Sequence, residues 1–270
     1  MTAEEKISVL LDKSEYGFED LVMIMEVLRS EEGCPWDREQ THKSIRKDLI
    51  EETYEVVEAI DTDDPELLRE ELGDLLLQIV FHARIEDEQN VFDINDVAAD
   101  VCKKLIHRHP HVFGEVVVKD TDNVLSNWEK IKSEEKSRIT VTDKLRAIPP
   151  MLPALMRAEK VGKKAKCFDF ADADEVMDKV CEELTELSDA VNDGNYDAME
   201  EEMGDLLLTV TSLCRKLKID PELALCKATD KFIDRFDMVE KAVIDAGKDI
   251  DEVTNQELNS IWDEIKHKNA

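Results

Sequence analysis

Glycine, proline and aromatic residues are scarce in this chain: 8 Gly, 7 Pro and 5% Phe, Trp and Tyr among 270 residues. Leu, Glu, Lys, Ala and Met are common instead, a balance that disfavours sheet and favours helix. No apolar run approaches the roughly 20 residues that span a bilayer. The opening MTAEEKISVLLDKSEYG has neither an apolar core nor a cleavage-like site, so no secretion signal is read and a soluble, cytoplasmic protein is expected. The six cysteines, at 34, 102, 167, 181, 214 and 226, form no Cys-x-x-Cys pair. They are expected to be reduced, mostly in the core, and without chemistry. Positive charge is also short: 35 Lys and Arg stand against 65 Asp and Glu, a net charge of −30. Such a surface repels nucleic acid and anionic membranes, and suits cations or anions that arrive with a cation. No P-loop or Gly-rich phosphate fingerprint occurs either.

What the chain does have is a repeat. EETYEVVEAI (51–60) pairs with EELTELSDAV (182–191), and EELGDLLL (70–77) with EEMGDLLL (201–208), both at an offset of 131 (202 − 71). The likeness extends to KLIHRH (104–109) with KFIDRF (231–236), and to WEKIK (128–132) with WDEIK (262–266). A tandem duplication is expected. Residues 133–153 carry charge, β-branched residues and three prolines, which disfavour a continuous helix and put the boundary near 140. The expected layout is an N-terminal extension at 1–17, a first unit at 18–139 and a second at 140–270.

Within each copy the apolar period is helical. Ile50, Tyr54, Val57 and Ile60 make one stripe, and Leu68, Leu72, Leu75, Ile79 and Ala83 another. Between them DTDDPE (61–66) offers Asp64 as N-cap, Pro65 as first helical residue and Glu66 in the first turn, while NDGNYD (192–197) serves the second copy. Two antiparallel helices with facing stripes, and two flanking helices, predict an all-α fold of two four-helix-bundle-like units.

The acids on this hairpin form a pattern. Glu52 and Glu55 share one helix face, as do Glu71 and Asp74 on the partner helix. Glu55 lies nine positions before the Asp64 cap, with Glu71 and Asp74 seven and ten after it, so the four converge at one level. Gly73 is expected to permit close approach. Glu183, Glu186, Glu202 and Asp205 repeat the set. Converging carboxylates are unstable without a cation among them, and oxygen-only ligands select Mg²⁺, with Mn²⁺ as substitute, before Zn²⁺. A lone Glu-x-x-Glu would be read as a solvated face. A capped pair of such motifs built twice is read as a metal site. Glu-x-x-His pairs at Glu39/His42 and Glu264/His267 lie off these helices and are set aside, as is HRHPH (107–111), where Pro110 predicts a polar helix end. A cationic half accompanies the acids: Lys227, Lys231 and Arg235 recur every four residues, and Trp262 and Lys266 form another such pair. Placed beside a metal cage, they suit a phosphate chain and a stacking base.

Glu-Glu-x-x-Glu followed by Glu-x-x-Asp, GCPWDREQTH (33–42), HRHPHVFG (107–114) and the duplicated layout together resemble the MazG nucleoside triphosphate pyrophosphohydrolases, from about residue 18 to 268. The resemblance implies an all-α homodimer that uses Mg²⁺ to hydrolyse (d)NTPs to (d)NMP and pyrophosphate. It implies Glu52, Glu55, Glu71, Asp74, Glu183, Glu186, Glu202 and Asp205 as metal ligands, and Lys179, Lys231, Arg235, Trp262 and Lys266 as nucleotide contacts. Lys104, Arg108, Trp128 and Lys132 are their first-copy counterparts. Water would attack the α-phosphorus in line, oriented or deprotonated by Glu51 or Glu182. Two rival readings are a narrow dCTP or dUTP pyrophosphatase, and a non-catalytic, metal-stabilised helical dimer serving a regulatory partner. One position separates the copies: Lys179 aligns with Asp48. The second site is therefore expected to carry most of the turnover.

Overall fold

The computed structural model describes residues 1–118, 120–135 and 140–268, except the side chains of Leu125 and Lys268. The described residues contain helices and no strand. They divide into two compact units, Met1–Ile131 and Lys132–Ala270. The expected boundary at 139/140 touches residues 136–139, which lie outside the described residues.

The N-terminal unit begins with α1 (Ala3–Leu11) and α2 (Phe18–Leu28), which pack together and are tied by a Lys6–Glu26 ion pair. A short α3 (Pro35–Glu39) leads to the central hairpin, α4 (Arg46–Asp61) and α5 (Pro65–Asp87). Helix α5 also contacts α2 and α6 (Ile94–Arg108), so it is the hub of a four-helix unit. A short α7 (Pro110–Phe113) follows, with Pro110 starting a new helix where α6 ends. The long α8 (Thr121–Glu135) contains the division between the units. Met25, Ile45, Val80, Phe81 and Ile85 form the buried core.

The C-terminal unit repeats the plan. After α9 (Val141–Arg146) come α10 (Ala154–Lys164), the hairpin α11 (Ala173–Asp193) and α12 (Tyr196–Lys216), and α13 (Pro221–Asp245). Helix α12 contacts α10, α11 and α13, and α14 (Asn255–Lys268) packs on α13. Buried positions recur at the same offset: Ile45 with Val176, Ala59 with Ala190, Gln78 with Thr209 and Val80 with Thr211.

The hairpin turns are chemically specified. Asp64 accepts hydrogen bonds from the Glu66 and Leu67 N–H groups, at 2.9 and 3.1 Å, and Pro65 follows as the first helical residue. In the second copy the Asn195 side chain accepts from the Ala198 N–H. The left-handed residue falls at the same register, Asp63 with φ 53° and Gly194 with φ 66°. Only glycine takes that conformation without steric cost.

The segment leading into α4 is fixed by Arg29. Its guanidinium donates to both Glu88 oxygens at 2.8 Å, and to the Asp37 and Gln40 carbonyl oxygens at 2.5 and 3.2 Å. It also lies 5.3 Å from the Phe81 ring centroid. Nearby, a Cβ on Gly33 would collide with the Val27 and Leu28 carbonyl oxygens, so only glycine fits.

Three expectations are corrected. Ile50, Tyr54, Val57 and Ile60 do not face α5; all are exposed, and Val56 and Ala59 are the buried residues of α4. The second stripe is mixed as well, with Ala83 buried, Leu68 and Leu75 half-buried, and Leu72 and Ile79 exposed. A small residue such as Ala59 lets two helices close up, and the longer apolar stripe then turns outward. Gly73 does not serve a close approach within the chain, since a Cβ there would meet nothing within 4 Å. The cysteines are not core residues. All six are free thiols; Cys102, Cys167, Cys181 and Cys226 are exposed, Cys34 and Cys214 half-buried.

Candidate metal and nucleotide site

Each hairpin gathers three carboxylates. Glu52 and Glu55 come from α4 and Glu71 from α5, and one oxygen of each lies within 4.8 Å of the others. The geometry follows from three-residue spacing on one helix and the capped turn that sets the register of the other. Asp74 stands outside this close set, yet its charge acts on Glu52. The pKa values of Glu52 and Glu71 are both raised. Burial is the first cause, followed by Asp74 and Glu55 for Glu52, and by Glu55 and Glu70 for Glu71.

The second hairpin repeats the set with Glu183 and Glu186 from α11 and Glu202 from α12. Glu202 is likewise raised, by burial and then by Glu186, Glu183 and Asp205. Two differences matter. Glu183 is buried, whereas Glu52 is half-buried. Lys179 also reaches into the set, its Nζ 2.7 Å from Glu182 and 2.9 Å from Glu183. Those two acids raise its pKa, which keeps a full positive charge at the rim. In the first copy Asp48 occupies that position, and the neighbouring Lys47 pairs with Glu51 at 2.7 Å. Glu51 and Glu182 themselves are exposed and lie outside the close carboxylate sets. Three convergent oxygens in each set, two of whose acids are pushed towards the neutral form by burial and mutual repulsion in the first copy, suit a hard divalent cation.

The basic and aromatic residues lie on the last two long helices of each copy of the repeat. Lys231 and Arg235 are on α13, Trp262 and Lys266 on α14. Trp262 meets Phe232, with ring centroids 5.2 Å apart. In the first copy Lys104 and Arg108 are on α6, Trp128 and Lys132 on α8, and the Arg108 guanidinium lies 5.5 Å from the Trp128 ring centroid.

Comparison with known proteins agrees with this duplicated geometry. The profile of the MazG nucleotide pyrophosphohydrolase domain matches twice, at residues 40–113 and 171–239. A Thermotoga maritima protein named nucleoside triphosphate pyrophosphohydrolase/pyrophosphatase MazG is 44% identical over 92% of this chain and 95% of its own length. The chain belongs to the MazG nucleotide pyrophosphohydrolase family. An Escherichia coli nucleoside triphosphate pyrophosphohydrolase is 42% identical over 92% of this chain and 96% of its own length. YabN of Bacillus subtilis, an uncharacterised protein, is 39% identical over 93% of this chain but 52% of its own length.

Sequence reasoning missed one polar cluster in the first MazG unit. His42, set aside with Glu39, meets His82 and Glu86 of α5. Its Nδ1 is 2.8 Å from His82 Nδ1 and its Nε2 2.8 Å from a Glu86 oxygen, with the imidazoles stacked 5.0 Å apart. A bond between two Nδ1 atoms needs one nitrogen protonated and the other bare. Burial, and then His42, lower the pKa of His82. The four-residue spacing of His82 and Glu86 was readable, but the arrival of His42 from before α4 is a tertiary contact.

The acid sets give a pH dependence with a definite sign. A carboxyl raised in the fold favours the folded state while protonated, and that advantage is lost as pH climbs through the raised value. Asp20, Glu88 and Asp169 are lowered by their basic partners and act in the opposite sense, but at more acidic pH. His82, lowered by burial and then by His42, also acts in the opposite sense, up to its ordinary value of 6.5, so in EDTA it is the contribution of the acid sets to thermal stability that is expected to fall as pH rises from 4.5, the ordinary Glu value. Mg²⁺ at a hundred times its Kd is expected to stabilise by about 2.7 kcal/mol per site, and a given Mg²⁺ concentration is expected to stabilise less at about pH 5 than at about pH 7. Calorimetry in EDTA and in Mg²⁺ checks both, and equal Mg²⁺ shifts at the two pH values would count against metal binding by these acids.

Proposed function

We propose that this protein is a homodimeric, Mg²⁺-dependent nucleoside triphosphate pyrophosphohydrolase whose C-terminal unit carries most of the turnover. The observation that carries this reading is the three-carboxylate set built twice, on capped hairpins of the same design. The names of the Thermotoga and Escherichia relatives give the same activity. Glu183, Glu186, Glu202 and Asp205 would hold the cation in the active unit, and Glu52, Glu55, Glu71 and Asp74 in the other. Bound Mg²⁺ supplies Lewis-acid and electrostatic stabilisation of the triphosphate.

The chain's own groups do the rest. Glu182 orients a water molecule and accepts its proton, the role that falls to Glu51 in the first unit. The water oxygen bonds to the α-phosphorus as the bond to the bridging oxygen of the β-phosphate breaks, leaving NMP and pyrophosphate. Lys231, Arg235 and Lys266 hold the phosphates, and Lys179 brings positive charge to the atoms where negative charge accumulates. Trp262 stacks on the base. In the first copy of the repeat the corresponding contacts are Lys104, Arg108, Trp128 and Lys132.

Exposed apolar residues support dimerisation. Ile50, Tyr54 and Ile60 on α4 and Leu72, Leu76 and Ile79 on α5 are all exposed within the single chain, more apolar surface than one hairpin leaves to water without a partner. Static light scattering at micromolar concentration is expected to give twice the chain mass, and a monomer would refute the dimer.

With a panel of NTPs and Mg²⁺ the expected products are NMP and pyrophosphate, with turnover lost in excess EDTA. Orthophosphate would instead place the attack at the γ-phosphorus, and no product at all would favour the non-catalytic reading. The asymmetry has its own test. Exchanging Lys179 for Asp48 removes a charge whose effect is on the order of 3 kcal/mol, the scale of one electrostatic donor. Glu183→Gln is expected to abolish pyrophosphate release and Glu52→Gln to spare most of it. Equal losses, or a larger loss from Glu52→Gln, would mean that the units share the work.

A further inference from the structure

Helix α13 contacts both α12, which bears Glu202 and Asp205, and α14, which bears Trp262. On α13, Phe232 and Phe236 stand next in sequence to Lys231 and Arg235 and repeat their four-residue spacing. Their rings stack at 6.3 Å between centroids with an interplanar angle of 18°, and Phe232 meets the Trp262 indole at 5.2 Å, tilted by 43°. Both phenylalanines are exposed, Phe232 to 55%. An aromatic pair of this kind adds attraction beyond the area it buries, enough to favour one orientation of the indole. At the matching places of the first unit stand Leu105 and His109, and Trp128 there meets the Arg108 guanidinium instead.

Resting on the nucleoside triphosphate reading of this unit, we propose that Phe232 is a positioning residue for base recognition: it holds Trp262 on α14 in the orientation on which the nucleobase stacks. Phe236 extends the same aromatic surface along α13. The phosphate chain is gripped by charge, so only the nucleoside end of the substrate reads this surface. The loss of Phe232 therefore weakens binding of a nucleotide and leaves a base-free triphosphate unaffected. In the first unit the guanidinium on Trp128 gives a different, cationic surface, so the two units differ in their base end as well as in their phosphate end.

Phe232→Leu, which installs the residue found at 105, and Phe232→Tyr, which keeps the ring, test this in the full-length protein. Pyrophosphate release from ATP gives KM and kcat, and competition by Mg²⁺-tripolyphosphate gives a Ki for a ligand with no base. Phe232→Leu is expected to raise KM for ATP about tenfold, the scale of one base–aromatic stack, with kcat and the tripolyphosphate Ki unchanged. Phe232→Tyr is expected to restore the wild-type KM. An unchanged KM in Phe232→Leu, a parallel rise in the tripolyphosphate Ki, or failure of Phe232→Tyr to rescue would each overturn the positioning role. The underlying reading fails separately: wild-type protein that binds tripolyphosphate as tightly as ATP gains nothing from the base.

Discussion

Repulsion between carboxylates sets the terms for the rest of this molecule. Each hairpin brings Glu side chains from two helices to within 4.8 Å of one another, an arrangement that costs free energy unless protons or a cation relieve it. Four features around the acids bear on that cost. The Asp64 and Asn195 caps and the left-handed residues at 63 and 194 fix the register of the hairpins. The buried alanines at 59 and 190 let the helices close up, and in the first unit Arg29 clamps the segment that feeds α4. The scaffold is conventional helical packing, and the repulsion is concentrated at the two carboxylate sets.

The two units answer the same repulsion differently. In the first, Glu52 and Glu71 are shifted towards their neutral forms and Lys47 is drawn away to Glu51. In the second, Lys179 lies against Glu182 and Glu183, and Glu183 can be buried. One substitution, Asp48 against Lys179, thus changes the charge balance of an otherwise duplicated site. The duplicated hairpins keep two carboxylate sets of the same design with opposite charge at position 48 and its counterpart 179.

Much of this was legible in the sequence, for a physical reason. Helical period, the Asp-Pro-Glu turn signal and the spacing of acids about it are local properties, and local properties set the hairpin. The offset of 131 residues then gave the second copy without further inference. What the sequence left open is tertiary. The stripe Ile50, Tyr54, Val57 and Ile60 is apolar at the right period, but periodicity does not say which neighbour a face meets, and this one turns outward. Gly73 lacks a side chain, as a close approach would require, yet a Cβ there would meet nothing within 4 Å in the chain. His42 and Phe232 acquire their roles from residues on other helices, 40 positions away for His82. No spacing rule reaches so far.

The repeated buried positions carry a hazard for the nascent chain. Helices α4 and α11 each bury an alanine at the matching position, Ala59 and Ala190, and α5 and α12 are buried at two matching positions, 78 and 80 against 209 and 211, so each half-hairpin has a wrong sibling to pair with. Kinetics opposes that exchange. The true partners are joined only by residues 62–64 and 194–195, and so short a loop closes far sooner than any contact spanning more than a hundred residues. Gln78 and Val80 opposite their counterparts Thr209 and Thr211 add a mismatch of shape and polarity to the delay. The brevity of the turns, which sets the spacing of the acids, also keeps two look-alike domains from tangling as they fold.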